Sequence, residues 1–354
     1  MKPLLPNTYV LNNKYLQSII SPSTDIIDYN FTSDQVHKLN LLQILRPDIY
    51  FNKKLSEEEF FDLSKKYYQK LIDDEIIYKS ENQYFLYRID SDHHSQTGLI
   101  SLLNIQDYIN RKIKPHEKIL VSKGKERADQ LSKVKFQLCP IYLFYDDENI
   151  DISLDIHHDK KPLIKFKSGK YTHSIYKTNT DFTGINFKEL FVADGHHRIE
   201  GFAQLDVEKD TKFLSIVFPK SKCLNLAYNR SVKFPDAYDK DSFMSDLSKY
   251  FVVEELKYHE NINRFFVIYY QGKYFKIDLK NDFSSNGADC IDFGEYVLKE
   301  ILNIHDETND ERVEFVPPTL GTDYLINQVD TGITDLSTLM RPVSMDLVIE
   351  YSKN

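Results

Sequence analysis

The chain has 354 residues, 41% hydrophobic and 13% aromatic, a composition that excludes a disordered protein and at this length predicts two domains or one elaborated domain. A formal net charge of -9 opposes the attraction to phosphates on which non-specific nucleic-acid binding depends, so a DNA or RNA partner is disfavoured. Cys139, Cys223 and Cys290 are odd in number, widely spaced and without a CxxC pair, which points to a reducing compartment and away from structural zinc.

Residues 1–13 are polar, contain Pro3 and Pro6 and lack a signal peptide's basic start and apolar run, and no segment approaches the ~20 apolar residues of a membrane helix. A cytoplasmic protein is expected. Ser56-Glu57-Glu58-Glu59 is a capping box, so a helix should begin there, with Phe60, Leu63, Tyr67 and Leu71 forming its apolar stripe. A strand over 84–89 follows, then a strand and short helix over 99–108. Beyond the charged stretch 111–135, residues 140–145 are apolar on both faces, as in the centre of a sheet. Further strands are predicted over 163–166, 171–176, 190–193 and 213–218, with a helix over 199–205.

Past Pro235 the pattern changes to a helix over 242–250, a hairpin joined by Gln271-Gly272-Lys273, a last helix over 294–304 and a tail rich in Gly, Thr and Asp. The expected class is mixed α/β, with a core over 1–235 and an added α+β module over 236–354.

Asp194-Gly195-His196-His197-Arg198 falls between a buried-strand pattern and a helical one. A helix N-terminus presents backbone N–H groups and the positive end of its dipole, Gly195 permits close approach, and two histidines and an arginine add donors. That suits phosphate oxygens. Asp194 would repel them unless a Mg²⁺ ion, which takes one or two carboxylates alongside substrate phosphates, lies between. The residues alone fit a helix cap with solvated polar neighbours equally well. In Lys114-Pro115-His116-Glu117, followed by Lys118, Lys123, Lys125 and Arg127, Leu120 occupies the position four residues after His116, so no zinc-protease pair is present. Glu117 among these cations should stay ionised and able to accept a proton, although a solvated charged face accounts for the composition as well. The doublets His93-His94 and His157-His158 have no third ligand at fixed spacing and read as exposed loop residues.

In order along the chain, Leu86-Tyr87-Arg88, Gly98-Leu99-Ile100, Lys114-Pro115-His116-Glu117 with Arg127, Ala193 to Arg198, Ala227-Tyr228-Asn229-Arg230, Phe315-Val316, Val329-Asp330 and Leu339-Met340-Arg341-Pro342 resemble a family catalogued as a domain of unknown function. That family is related to the ParB/sulfiredoxin-like fold and includes free L-serine kinases. The resemblance runs from about Ser21 onward. It implies a ParB/sulfiredoxin-like nucleotide-binding core with a mixed sheet, ATP or ADP as phosphate donor, and Mg²⁺. Gly195, His196, His197 and Arg198 would hold phosphates, Asp194 would lie near the metal or the reacting hydroxyl, Glu117 would be general base, and Arg230 and Asp25 would face the acceptor.

Two departures bear on this. The family's Pro-Pro-Tyr-Asp-Val pattern stands here as Ser21-Pro22-Ser23-Thr24-Asp25-Ile26, keeping Asp25 without the aromatic, which implies a different acceptor side. The stretch after Arg341-Pro342 lacks the Met-Pro-Pro-Lys-Ser-Thr of longer members, and altered or lost activity is expected if that stretch closes their site. The leading expectation is a kinase for free serine or a related hydroxy amino acid. The alternatives are a nucleotide-binding regulatory module without metabolite kinase activity, and an interaction protein whose charged turn is plain surface.

Overall fold

The computed structural model describes residues 1–21, 37–80, 82–116, 128–129, 131–150, 161–205, 210–257, 265–285, 287–318 and 320–353. The chain divides into two compact units, Met1–Leu224 with Ile349–Asn354, and Asn225–Val348. Together they make a mixed α/β protein, as its sequence predicts. Among the described residues no helix is long and apolar enough to cross a membrane.

In the first unit, strands β1 (Tyr9–Leu11) and β2 (Ile77–Lys79) form a small antiparallel pair. Helices α1 (Leu16–Ile19), α2 (Leu42–Leu45), α3 (Pro47–Tyr50) and α4 (Glu57–Asp73) lie between them in sequence. The α4 start is the expected capping box: Glu59 N–H donates to Ser56 Oγ at 3.3 Å, and Ser56 N–H donates to the Glu59 carboxylate at 2.8 Å. Each bond satisfies a donor that the helix leaves without an internal acceptor. The buried face is Phe61, Ser64, Tyr67 and Leu71 rather than the stripe begun at Phe60 and Leu63. Ser64 Oγ explains the rotation, because it donates to the Ile44 carbonyl at 2.9 Å and so tolerates a core position that hydrophobicity alone would not assign.

The main sheet has eight strands: β3 (Tyr84–Asp90), β4 (Ser95–Asn104), β5 (Ile113–Lys114), β6 (Ile141–Tyr145), β7 (Ile164–Ser168), β8 (Tyr171–Thr178), β9 (Leu190–Asp194) and β10 (Lys212–Pro219). Their spatial order is β5-β9-β6-β10-β4-β3-β8-β7. The sheet is mixed: β10 runs parallel to β6 and β5 parallel to β9, while the other pairs are antiparallel. Leu99, Leu143, Val192 and Val217 project from one face onto helices α5 (Ile105–Ile109) and α6 (His196–Gln204), where Ile105 and Ile199 are fully buried. Each such side chain contributes about 1.5–3 kcal/mol on burial. The opposite face carries Tyr87, Tyr142, Ile216 and Phe218. Gly98 sits on this sheet where a Cβ would come within 2.7 Å of Ile216 and Phe218, so no larger residue fits without displacing them.

The second unit is a six-stranded antiparallel sheet, in which β11 (Asn229–Val232), β12 (Phe251–Leu256), β13 (Val267–Tyr270), β14 (Lys273–Leu279), β15 (Val313–Val316) and β16 (Leu336–Leu339) are ordered β12-β14-β13-β16-β11-β15. Gln271 and Gly272, with φ of 48° and 75°, make the tight β13–β14 turn predicted from sequence. Helices α7 (Phe243–Tyr250), α8 (Asp289–Asp292, continued as a π-helix over Phe293–Ile301) and α9 (Gly321–Asp330) accompany this sheet, and α10 (Met345–Lys353) ends the chain. The observed division falls at Asn225 instead of near Pro235, because β11 pairs with β15 and β16 and so belongs to the second sheet.

Candidate functional site

Parallel pairing places Ile113 opposite Leu190 and Lys114 opposite Phe191, so β5 and β9 end side by side. Pro115-His116 therefore emerges beside Asp194-Gly195-His196, two motifs far apart in sequence. The His116 backbone N–H donates to His196 Nε2 at 3.5 Å, and the two imidazoles meet edge to face with centroids 4.4 Å apart. Glu117, Asp25, Lys118, Lys123, Lys125 and Arg127 lie outside the described residues, as do His157 and His158. His94 Nε2–H donates to the Lys222 carbonyl at 2.9 Å.

The turn is shorter than its sequence suggests. Helix α6 starts at His196, three residues ahead of the first apolar position, with Gly195 as N-cap at φ 100°. Its own hydrogen bonding opens with Ile199 N–H donating to the Gly195 carbonyl at 3.0 Å, so the peptide groups of His196, His197 and Arg198 form the first turn and the dipole's positive end lies at Gly195. A Cβ at Gly195 would come 2.9 Å from the Arg198 guanidinium, which folds back over the glycine and forms an ion pair with Asp194. Arg198 Nε is buried without a hydrogen-bond partner.

His196 differs from a solvated phosphate donor. Only 4% of it is exposed, and burial, with smaller contributions from His116, His197 and Arg198, lowers its pKa to about 3. Burial lowers His116 as well. Both rings are neutral near physiological pH and supply hydrogen bonds and shape, so positive charge at the turn comes from Arg198 and the helix dipole and not from these two rings. Asp194 is two-thirds exposed, with its side chain at 66%. Among the described residues no group of three His, Cys, Asp or Glu is arranged to hold a metal. Asp194 thus fits one carboxylate ligand of a Mg²⁺ that arrives with phosphate oxygens, and does not fit a metal cage built by the protein.

Tyr142, not singled out from sequence, adjoins the turn, and Tyr87 and His173 continue a polar chain from it. Tyr142 on β6 stands opposite Asp194, and burial, reinforced by Tyr87 beside it, holds its phenol well above the usual range. Tyr87 Oη is 2.6 Å from His173 Nδ1. The signal available was a tyrosine in each of two buried strands, where a polar tip needs a partner.

Beside the turn, α2, the first half of α4, residues 131–139 and α6 enclose a cleft of about 680 Å³, with Arg198 and Phe202 on one wall.

Arg230 belongs to the second unit and lies in β11, where its pairing with Phe315 across β15 fixes it as strand. Its guanidinium is buried, bonds Glu307 through Nε at 3.3 Å and the Tyr228 carbonyl through Nη1 at 2.7 Å, and lies 3.9 Å over the Phe315 ring. Arg341 likewise grips the buried Asp289 through its backbone N–H, at 2.7 Å, and its guanidinium.

No curated protein matches the chain. Similar solved structures include free serine kinase in complex with AMP, at 15% identity and TM-score 0.38, covering 72% of this chain and 81% of that one. A mutant of free serine kinase in complex with ADP is similar at 14% identity and TM-score 0.38, covering 72% and 82%. A conserved hypothetical protein from Pyrococcus furiosus is similar at 13% identity and TM-score 0.37, covering 72% and 85%. The family described as protein of unknown function (DUF1015) matches residues 3–305, and the chain belongs to that family.

Proposed function

We propose that the Asp194–Arg198 turn binds the phosphates of ATP or ADP with Mg²⁺, and that the chain transfers a phosphoryl group to the hydroxyl of a small hydroxy amino acid, free L-serine first. The observation that supports this most directly is the parallel pairing of β5 with β9, which sets His116 of the Lys114-Pro115-His116-Glu117 motif at the same sheet end as the turn. Placing the first unit on a ParB/sulfiredoxin-like core is part of this reading and rests on the order of its motifs.

Phosphoryl transfer needs positioning, charge neutralisation and an acceptor for the hydroxyl proton. Gly195 and the first turn of α6 present backbone N–H groups, and Arg198 supplies a fixed cation. Mg²⁺, when bound through Asp194 and phosphate oxygens, neutralises further charge. The acceptor oxygen attacks the terminal phosphorus as its bond to the nucleotide breaks, and Glu117 takes the hydroxyl proton. Asp25 lies on the acceptor side in this reading, whereas Arg230 already has protein partners and needs a separate test. Nucleotide-dependent phosphoserine formation by wild type and Glu117→Gln decides the matter: equal rates would remove Glu117 from the reaction.

A second reading, a nucleotide-binding regulatory module, is favoured by one observation, that the Asp194 carboxylate is already held by Arg198. Calorimetric binding of ATP or ADP with no product across a panel of hydroxy amino acids would select it.

A further inference from the structure

The cleft of about 680 Å³ next to the turn lies in the usual range of small-molecule sites, roughly 300–1,000 Å³, and is far larger than a free amino acid needs. Its walls mix polar side chains, among them Arg46, Glu57 and Gln137, with four aromatic rings, Phe60, Phe61, Phe136 and Phe202. Phe60, off the buried face of α4, is half-buried at the cleft, and Phe61 reaches it from the core position. Arg198 is the only residue of the Asp194–Arg198 turn on the cleft wall, and it pairs with Asp194 at the same time.

We infer that this cleft takes the nucleoside part of the nucleotide, with the base among the phenylalanine rings and the phosphates passing Arg198 to the turn. The inference deepens the phosphate-site reading and rests on it. A flat base can stack on the four rings, and a free hydroxy amino acid, having no flat face, cannot. Recognition of the base by shape and stacking follows because polar groups of the wall are engaged already: Arg46 pairs with Asp48, Glu57 with Lys133, Ser64 Oγ donates to the Ile44 carbonyl, and the one carboxamide is Gln137. Its Nε2 donates to the Cys139 and Leu214 carbonyls at 2.9 and 3.0 Å, and its oxygen accepts from Leu214 N–H at 2.7 Å. Committed to these bonds, it is not available to read a base edge, so purine nucleotides should be weakly discriminated.

Cys139 provides the test, because it is a half-buried free thiol on the cleft wall. Burial raises the thiol pKa of Cys223 to about 12 and also raises that of Cys290, leaving both as internal controls of low reactivity. Alkylation by N-ethylmaleimide followed by peptide mapping should show Cys139 protected about tenfold by saturating ADP and by saturating adenosine, and not by tripolyphosphate. Phe60→Ala should weaken ADP about tenfold, the scale of one lost base–aromatic stack, and leave tripolyphosphate binding unchanged. If calorimetry shows ADP bound while Cys139 reacts at its free rate, the cleft is not the nucleoside site and the phosphate turn stands. Protection by adenosine with no tripolyphosphate binding supports the cleft and removes the turn. If neither probe binds, both assignments are overturned.

Discussion

Arg198 folds back one helical turn to ion-pair with Asp194, so the residue proposed to meet phosphate and the residue proposed to meet the metal hold each other across Gly195. Binding of a Mg²⁺–nucleotide must exchange this pair for two new ones, carboxylate to metal and guanidinium to phosphate. Because the pair is substantially exposed, it is worth only ~0–1 kcal/mol, and its exchange is a small barrier. Asp194→Asn should therefore leave the thermal midpoint nearly unchanged and reduce phosphoserine formation on the order of 100-fold or more. Steady-state kinetics beside thermal melts separates the two effects, and an Asn variant with full activity would remove Asp194 from the site.

Gly195→Ala tests the turn by a different route. At φ 100° an L side chain is strained, and its Cβ would contact the Arg198 guanidinium. A loss of about 1–3 kcal/mol in urea denaturation is expected, with weaker ADP binding as Arg198 is displaced. Unchanged stability would mean that the backbone relaxes to another conformation.

Much of the scaffold is legible in the residues themselves where the signal is local. The capping box at Ser56 and Glu59 announces α4, the Gln271-Gly272 turn announces a hairpin, and the uninterrupted apolar run in β6 announces a strand inside a sheet. The start of α6 is hidden because His196, His197 and Arg198 add no apolar periodicity, although Gly195 stops the strand. The two-residue β5 is invisible inside a charged stretch, since only β9, far along the chain, makes it a strand. For the same reason β11, β15 and β16 carry no local strand signal. The cleft has no sequence signature, because its walls come from α2, α4, α6 and residues 131–139.

The capping box also fixes a pH response. The Ser56 backbone bond, followed by Lys53 and the Ser56 hydroxyl, lowers the Glu59 pKa from 4.5 to about 2. A carboxylate depressed on folding stabilises the folded state fully above its unfolded pKa and loses that contribution as pH falls through the folded one. Wild type should melt above Glu59→Ala at neutral pH, and the gap should close as pH falls from about 4.5 toward 2. Circular-dichroism melts across that window check it, and a gap that persists to its lower end would assign the difference to helix propensity instead of the ionised cap.

Arg230 separates a substrate contact from a structural anchor. The guanidinium is buried, satisfied by Glu307 and the Tyr228 carbonyl and stacked on Phe315, which ties β11 to β15 and to the segment carrying Glu307. Arg230→Gln keeps some hydrogen-bonding capacity but loses the charge and the stack, leaving Glu307 without its cation. The expected loss is about 1–3 kcal/mol of unfolding free energy. If the anchor is its whole role, the folded variant retains the wild-type KM for the hydroxy amino acid. A rise in KM without a fall in stability would show the opposite, that Arg230 leaves Glu307 to grip the acceptor's carboxylate.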